Sequence, residues 1–292
     1  MKKYIIGVDL GGTKIATAIA DTAGKIIYKI NTPTEANLGK NVSVGNLIKA
    51  IYLVMDKLKA KKTQISKIGI GAPGPILHDS GLVVDPPNLP GWGKLNLKII
   101  LKKEFGTKII LENDANTAAL GEAIFGAGKK YSNLVYITIG TGIGGGIIID
   151  KKIYRGSSGA AGEIGHTLIE LSDSKIRTLE SLAAGPAIAK AANMTDGETV
   201  YKEAVAGNAM AINAIECCGQ YIGLAVANII NILNPEIIII GGGISKMGKI
   251  IFDPINETAK KNALPVALNK LKIVPAKLGV DAGLIGAIAL CL

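Results

Sequence analysis

The sequence predicts a mixed α/β protein of two lobes, because one pattern occurs twice along 292 residues. An apolar strand at residues 4–10 is followed by Gly11-Gly12-Thr13-Lys14 and a second apolar strand that ends at Asp21. A second copy runs from residue 134 to residue 150 around a longer glycine-rich turn. Each copy reads as a β-hairpin. Copies separated by nearly half the chain indicate two related α/β lobes with a cleft between them.

The remaining elements follow from apolar runs and the polar or glycine residues that end them. We expect further strands at 25–30, 67–71, 108–111, 236–240 and 272–274. We expect helices at 42–60, 95–105, 115–125, 179–192 and 209–233, and a final helix from residue 282. The first lobe then spans residues 1–117 and is completed by 281–292, and the second lobe, 118–280, carries the nucleotide site.

Composition argues against several classes of function. The net charge is +10, but the lysines come in scattered pairs, and only Arg155 and Arg177 are arginines. No stripe of arginines and aromatic residues points to nucleic acid, so we expect no nucleic-acid partner. Three cysteines, two of them adjacent, make no disulfide framework. The apolar stretches at 222–232 and 284–292 are too short or too interrupted to span a bilayer, so we expect a cytoplasmic protein without a membrane partner.

The glycine turns match no common nucleotide motif. Gly140, Gly142 and Gly145 have the dinucleotide spacing, but residues 147–149 continue as a strand where that motif opens a helix. The segment from Gly7 to Lys14 resembles a P-loop, but Thr13 and Lys14 stand in the wrong order. Both turns remain candidates for holding phosphates, because glycine lets an anion approach successive backbone N–H groups.

A pair of such hairpins could clamp a triphosphate, and either could instead be merely a tight turn. Asp9, just ahead of the first turn, could hold Mg²⁺ through water, since Mg²⁺ is bound by one or two carboxylates plus phosphate oxygens. A third glycine turn, Gly241-Gly242-Gly243, follows a buried strand and precedes a helix. That arrangement offers a flat backbone surface for an adenosine.

Candidate chemistry lies at Glu112-Asn113-Asp114, where a strand ends and a helix begins. Asn113 or Asp114 could be a plain helix cap. Alternatively, Asp114 is a general base, because phosphoryl transfer uses a carboxylate to orient and deprotonate the attacking hydroxyl. Glu163 and His166, in a later glycine-rich loop, suit recognition of a polyol. The other histidine, His78, is interpreted as plain surface.

These motifs resemble the ROK family of sugar kinases in order and spacing along nearly the whole chain. The matching segments are Asp9-Leu10-Gly11-Gly12-Thr13-Lys14, residues 71–75, 88–92, 112–116, 138–146, 162–166 and 234–243. The resemblance implies an actin-like ATPase (ribonuclease H-like) fold, with the sugar between the lobes and ATP on the second. It also implies a hexose and ATP as substrates, Mg²⁺ as cofactor, and a homodimer.

The resemblance further implies roles for individual residues. Asp114 would take the proton from the 6-hydroxyl. Hexose binding would fall to Asn88, Gly91, Asn113, Glu163, His166 and Glu180. Nucleotide binding would fall to Asp9, Gly11, Gly12, Thr13, Lys14, Gly140, Thr141, Gly142, Gly241, Gly242 and Gly243.

One departure from the family pattern concerns zinc. Most members carry a cysteine-rich zinc segment after the histidine, whereas residues 167–179 of this chain contain no cysteine. A structural zinc needs about four nitrogen or sulfur ligands, so we expect none here. Glu180 still matches the sugar-binding glutamate beyond that segment, although the shortened connection affects its position.

Other functions stay open at this point. Similar motifs serve kinases of N-acetylmannosamine, N-acetylglucosamine, mannose and fructose, and members without zinc include polyphosphate-dependent enzymes. A sugar-responsive repressor would need a DNA-binding domain, and this chain begins directly with its first strand. A sugar-binding module without catalysis would require Asp114 to be idle.

Overall fold

The computed structural model describes residues 2–78, 80–170 and 174–292. The strands are β1 Tyr4–Leu10, β2 Lys14–Asp21, β3 Ile26–Pro33, β4 Ile65–Ala72, β5 Ile76–Leu77, β6 Leu82–Val84, β7 Lys94–Asn96, β8 Lys108–Asn113, β9 Leu134–Ile139, β10 Ile143–Ile149, β11 Lys152–Tyr154, β12 Leu168–Glu170, β13 Ile176–Thr178, β14 Ile237–Gly241 and β15 Lys272–Pro275. The helices are α1 Lys40–Lys57, α2 Leu97–Phe105, α3 Asp114–Ile124, α4 Leu179–Ala183, α5 Gly185–Ala191, α6 Gly197–Val205, α7 Ala209–Leu233, α8 Lys249–Asn262 and α9 Ala282–Ala289.

The chain divides into two compact units. The first comprises Met1–Phe125, Lys152–Ala161 and Val280–Leu292. The second comprises Gly126–Lys151 and Gly162–Gly279. The boundary expected near residue 117 falls inside α3.

The central sheet of the first unit has the order β3-β2-β1-β4-β8. The hairpin β1–β2 is antiparallel, and β4 and β8 add to it in parallel. In the second unit the order β10-β9-β14-β15 repeats this arrangement, with an antiparallel hairpin followed by two parallel strands. The duplication predicted from the two hairpins is therefore present in the strand order itself.

The first unit is closed by α9, whose apolar residues pack on the sheet and on α3. This packing depends on glycine, because a Cβ added at Gly7 would lie 2.8 Å from Ile288, and one at Gly69 would overlap the carbonyl oxygen of Ala287. A Cβ added at Gly286 would overlap the carbonyl oxygen of Thr117 on α3. Backbone therefore lies almost directly against backbone at these positions.

The second unit is built around α7, which is long and apolar enough to cross a membrane by length and composition alone. Half of its most apolar window is buried within the protein. It packs on α8 at two glycines: a Cβ at Gly219 would lie 2.6 Å from Pro254, and one at Gly223 would lie 2.6 Å from Thr258. These contacts are typical of a core helix, as the sequence predicted for residues 222–232.

Short elements escaped the sequence prediction. The antiparallel sheet β5-β6-β7 and the ribbon β12–β13 were not expected. Their strands have two or three residues each, too few for an alternating pattern to emerge. The ribbon β12–β13 lies within the cysteine-free segment 167–179, of which residues 171–173 lie outside the described part of the chain.

Gly286→Ala is expected to lower the free energy of unfolding by about 1–3 kcal/mol, because overpacking at a backbone contact forces the helix away from α3. The matched control is Gly45→Ala in the middle of α1, where a new Cβ meets nothing within 4 Å. That substitution should stabilise the protein by about 0.5–1 kcal/mol. Thermal and urea unfolding of the two variants should move in opposite directions, and equal shifts would contradict this account of α9 packing.

Candidate active site

The turn between β8 and α3 places the proposed base. Asn113 is the helix cap, since its Oδ1 accepts hydrogen bonds from the N–H groups of Ala115 at 2.9 Å and Asn116 at 3.2 Å. Asp114 is the first helical residue and is half-buried. Asn113 thus supplies the cap, and Oδ1 of Asp114 accepts a further hydrogen bond from Ala115 N–H at 2.8 Å. The N-terminus of α3 favours the ionised form of that carboxylate.

A second carboxylate lies near Asp114 in the same unit. Asp9, near the end of β1, has its pKa raised from 3.8 to about 6, first by burial and then by the negative charge of Asp114, while Lys14 acts in the opposite direction. The Asp9 carboxylate also abuts the first turn of α9, where a Cβ at Gly283 would lie 2.6 Å from Oδ2. Two carboxylates that disfavour each other's charge form an environment that a divalent cation would stabilise.

The tip of the first hairpin is a tight turn fixed by β3. Gly11 N–H donates to the carbonyl of Lys14 at 3.0 Å, and the buried Thr34 hydroxyl donates to the carbonyl of Gly11 at 2.7 Å. Thr13 and Lys14 are exposed at this tip. Gly12 faces the backbone of Asn88, whose carbonyl oxygen a Cβ at Gly12 would overlap. The structure therefore brings the predicted phosphate turn and the segment 88–92 together within the first unit.

In that segment, Gly91 is exposed and has φ +77°, which few residues besides glycine adopt readily. The neighbouring Trp92 is buried and donates its indole N–H to the Ser43 hydroxyl at 2.9 Å. The Trp92 anchor thus holds Asn88 and Gly91 at the surface beside the hairpin tip.

The tip of the second hairpin carries Gly140 and Thr141, both exposed. Next to the tip lies Glu180, whose Oε2 accepts a hydrogen bond from Ile143 N–H at 2.7 Å. A Cβ at Gly142 would lie 2.6 Å from the same oxygen. Gly142 is therefore required for the approach of Glu180, and the second unit brings these two predicted residues into contact.

The turn at 162–166 packs on β10 in the same unit. Glu163 and His166 are exposed at its surface, and Ile164 is buried beneath them. A Cβ at Gly145 would lie 2.7 Å from the carbonyl oxygen of Gly162, and one at Gly165 would overlap the carbonyl oxygen of Ile143. The glycines of β10 thus serve close packing of the Glu163–His166 turn.

A cavity of about 640 Å³ lies in the second unit. Gly140 and Thr141 line one side, and Gly243 with Ile244 lines another. Its volume is within the range of small-molecule sites, and its walls are mainly apolar. The structure therefore brings two of the predicted glycine turns to one cavity large enough for a nucleoside.

The other two glycines of the third turn do not line this cavity. Gly242, with φ +80°, lies against the backbone of Ile139, and Gly241 lies against the Tyr136 ring. The turn continues as a short 3₁₀ helix, Gly243–Met247, before α8 begins. Only Gly243 of the three therefore offers backbone to a ligand in this cavity.

Several lining residues were not identified from the sequence. They come from the start of α5, from the loop before α6 and from α6 itself, namely Gly185, Pro186, Thr195, Asp196, Gly197, Glu198, Tyr201 and Lys202. Gly185-Pro186 was a visible signal, since proline in the first turn marks a helix start. The loop before α6 carries no comparable motif.

The interpretation of His78 as plain surface was wrong. Its side chain is 19% exposed, and its Nε2 lies 3.2 Å from Oε1 of the fully buried Glu112. Arg155 also reaches Glu112, with Nε 2.7 Å from Oε2. These contacts join residues that are far apart in the sequence, so no local sequence pattern could predict them.

No group of three or more His, Cys, Asp or Glu side chains able to hold a metal ion occurs among residues 2–78, 80–170 and 174–292. The Asp9–Asp114 pair has only two such groups. Asp9 by itself fits the pattern in which Mg²⁺ is bound by one carboxylate, through water, while phosphate oxygens supply other ligands.

The repeated hairpin with two parallel strands in each unit is the arrangement of the actin-like ATPase fold, and the chain shares that fold with solved sugar kinases. The chain belongs to the ROK family, whose model matches residues 5–292.

Three relatives illustrate the range of this family. A glucokinase of Halalkalibacterium halodurans is 37% identical over 97% of this chain and 93% of its own length. A xylose repressor of Caldicellulosiruptor bescii is 32% identical over 98% of this chain and 77% of its own length. A ROK glucokinase of Streptomyces griseus, solved in complex with glucose and AMPPNP, is 29% identical, covers 98% of each chain, and has a TM-score of 0.81.

Asp9→Asn is expected to stabilise the protein without ligands at neutral and alkaline pH. Because the pKa of Asp9 is raised to about 6, the stability that its neutral form contributes is complete below about pH 3.8 and lost as the pH rises through 6. A shift of this size corresponds to roughly 3 kcal/mol at pH 8.

Thermal unfolding of wild type and Asp9→Asn from pH 4 to pH 8 measures this effect. The difference between them should grow with pH and level off above pH 6. Asp253→Asn, at an exposed position on α8, is the control. A difference that is the same at pH 4 and pH 8 would contradict the raised pKa.

Proposed function

We propose that this chain is an ATP-dependent kinase that phosphorylates the 6-hydroxyl of a hexose, with glucose as the leading substrate. The observation that carries this proposal is the position of Asp114, a half-buried carboxylate that follows the capping residue Asn113 at the start of α3 and lies near Asp9. Similarity to a glucokinase over 97% of the chain supports glucose as the substrate.

In the proposed reaction Asp114 orients the 6-hydroxyl and accepts its proton as O6 attacks the γ-phosphorus. The O6–P bond forms while the bond from phosphorus to the β,γ-bridging oxygen breaks, and ADP leaves with the electron pair of that bond. The N-terminus of α3 favours the ionised Asp114 before the transfer. The products are hexose 6-phosphate, ADP and a proton.

We assign hexose binding to Asn88, Gly91 and Asn113 of the first unit and to Glu163, His166 and Glu180 of the second. Their amide, carboxylate and imidazole groups match the alternating donors and acceptors of a sugar. Glu180 keeps its position through Ile143, and the Asn113 side chain is fixed by its capping bonds. Groups held in this way lose little conformational freedom when they bind a ligand.

We assign the nucleoside of ATP to the cavity of the second unit, between Gly140–Thr141 and Gly243–Ile244. For the phosphates we propose the two hairpin tips, Gly11, Gly12, Thr13 and Lys14 in the first unit and Gly140, Thr141 and Gly142 in the second. The complex of the Streptomyces griseus relative with AMPPNP supports a nucleotide as phosphoryl donor. We propose that Gly241 and Gly242 affect the cavity indirectly, through their close contacts with Tyr136 and with the backbone of Ile139.

Mg²⁺ would be held near Asp9, through water, where it would neutralise phosphate charge during the transfer. The raised pKa of Asp9 supports this assignment, because a carboxyl destabilised by burial and by Asp114 gains most from a cation. We place the reaction in the cytoplasm, where free cysteines such as the three of this chain stay reduced. The family resemblance supports a homodimer as the working form.

A second function has its own observation in favour. The similarity to a xylose repressor over 98% of the chain supports a sugar-responsive role, in which the same residues bind a sugar without turnover. Sugar binding measured by calorimetry together with no phosphorylated product would favour this alternative.

Wild-type protein is expected to convert glucose to a hexose phosphate with ATP and Mg²⁺. The measurement is mass spectrometry of the sugar product across glucose, mannose, N-acetylmannosamine, N-acetylglucosamine and fructose, each with ATP or polyphosphate. Asp114→Asn should lower kcat by about 10²–10⁴, the range for loss of a general base. Asp253→Asn is the matched control. Near wild-type kcat in Asp114→Asn would remove the base assignment, and no product with any sugar would remove the kinase function.

Gly243→Phe tests the nucleotide assignment. A Cβ at Gly243 meets nothing within 4 Å, so a phenyl ring at this position should fill the cavity of the second unit. The KM for ATP should rise at least about tenfold, equivalent to about 1.4 kcal/mol of binding, with little change in the KM for glucose. Gly243→Ala, which adds only a methyl group, is the control. An unchanged KM for ATP in Gly243→Phe would place the nucleoside elsewhere.

A further inference from the structure

The first unit contains a buried carboxylate that the proposed reaction does not use directly. The Glu112 side chain is completely buried, two residues before Asp114. Four groups surround it: Arg155 Nε at 2.7 Å from Oε2, and Asn113 N at 2.9 Å, Asn116 Nδ2 at 3.1 Å and His78 Nε2 at 3.2 Å from Oε1. A fully buried carboxylate needs such partners, because burial of an unpaired charge is strongly destabilising.

The charge of Glu112 depends on these partners. Burial opposes ionisation, but His78, Arg155 and the Asn113 amide together hold the pKa of Glu112 below its usual range. A buried carboxylate that lost its cation would be strongly destabilised and would take up a proton. The ionised state of Glu112 is therefore supported by His78 and by the guanidinium of Arg155, whose Nε lies 2.7 Å from Oε2.

Glu112 in turn organises the first turn of α3. Its Oε1 accepts hydrogen bonds from the main chain of Asn113, the capping residue, and from the side chain of Asn116, one turn into the helix. Asp114 lies between these two anchor points. A Glu112 carboxylate that moved or became protonated would disturb the cap and the direction of the Asp114 side chain.

The use of arginine at position 155 is informative in this chain. Lys and Arg total 33, and only Arg155 and Arg177 are arginine. A guanidinium is planar and donates in fixed directions, whereas an ammonium is a compact and strongly hydrated point charge. At position 155 the guanidinium donates from Nε to the buried Oε2 of Glu112 along one fixed direction, which an ammonium would not reproduce.

Arg155 lies in a short segment that belongs to a different unit from the chain on either side of it. Residues 152–161 belong to the first unit, although the chain belongs to the second unit before and after them. The segment is closed by a hydrogen bond from Ala161 N–H to the Arg155 carbonyl at 3.1 Å. It also packs on His78, since a Cβ at Gly159 would lie 3.1 Å from Cδ2 of that ring. The segment thus presents Arg155 and supports His78 on the same carboxylate.

We propose that Arg155 is a positioning residue for phosphoryl transfer, which fixes Asp114 by holding the ionised Glu112 against the first turn of α3. The proposal rests on the hexose kinase function proposed above. Arg155 is not assigned any contact with substrate, and its effect passes through Glu112.

The test compares Arg155→Met and Arg155→Lys with wild type by steady-state kinetics from pH 5.5 to pH 9. Arg155→Met should lower kcat about tenfold or more at pH 7.5 and leave the KM for ATP within about twofold, because the nucleotide cavity is untouched. Arg155→Lys keeps the charge but loses the direction of the Nε bond, and should lower kcat by a smaller factor. It also provides a variant that folds if the methionine variant does not.

The pH profile separates positioning from general destabilisation. Without Arg155 the pKa of Glu112 rises, so the acid limb of the kcat profile in Arg155→Met should move to higher pH. Adding Glu112→Gln to Arg155→Met removes the titrating group and should abolish that shift. Among the residues that the structure describes, the charged or titratable groups that contact Glu112 are Arg155 and His78.

Arg177→Met, which changes an exposed arginine on β13, is the matched control and should keep wild-type kinetics. Hydrogen exchange of the peptide containing residues 112–118 is a measurement that does not depend on activity. Exchange of this peptide should be faster than in wild type for Arg155→Met and unchanged for Arg177→Met. If wild type is active and Arg155→Met has the same kcat and pH profile as wild type, the positioning role is overturned, even if the variant unfolds at a lower temperature. The proposed kinase function would not be affected by that result. Absence of turnover in wild type with every sugar would instead reject the kinase function on which that role depends.

Discussion

Close approach of backbone to backbone is the constraint on which both units depend. In the first unit α9 lies directly on β1, β4 and α3, which is possible because Gly7, Gly69 and Gly286 present no side chain. In the second unit the same absence of Cβ atoms at Gly219 and Gly223 allows α8 to lie on α7. Interiors are packed as tightly as organic crystals, so a single added methyl group at such a contact must displace an entire element. The position of Asp9, against the first turn of α9, is a direct consequence of this packing.

The same constraint divides the glycine motifs into two groups. From the sequence, the two hairpin turns are candidates for holding phosphates and the third glycine turn for an adenosine, because glycine lets a ligand approach the backbone. In the structure Gly140 and Gly243 do open onto a cavity, whereas Gly145, Gly165, Gly241 and Gly242 are in contact with protein atoms. Glycine-rich segments of this kind thus contain glycines that can contact a ligand and glycines that allow close packing. Only the atoms around each glycine in the structure show which of the two roles it has.

The sequence predicted the fold and the local parts of the candidate site, and failed where contacts are distant in sequence. The two hairpins, the long helix α7 and the strand-to-helix turn at Asp114 carry local signals, namely apolar periodicity, glycine turns and a capping residue. The cavity lining from α5 and α6 carries almost none. The ion pair of Glu112 with Arg155 joins residues 43 positions apart in the sequence. The contact of Glu112 with His78 joins it to a residue well before it in the sequence. Burial of Glu112 could not be predicted either, because a glutamate at the end of a strand is usually exposed.

The first unit contains two carboxyl groups, Glu112 and Asp9, whose pKa values are shifted in opposite directions. Glu112 is buried with a guanidinium and backbone donors, and its pKa is lowered. Asp9 is half-buried beside another carboxylate, and its pKa is raised to about 6. A fold selected only for stability would pair both, because an ionised and unpaired buried carboxylate is destabilising. The paired carboxylate shapes the turn that carries Asp114, and the other is the carboxylate proposed to lie near a cation, which would supply the missing positive charge. Destabilisation that a ligand relieves is what distinguishes a binding group from a structural one, and on that criterion Asp9 belongs to the candidate active site while Glu112 belongs to its support.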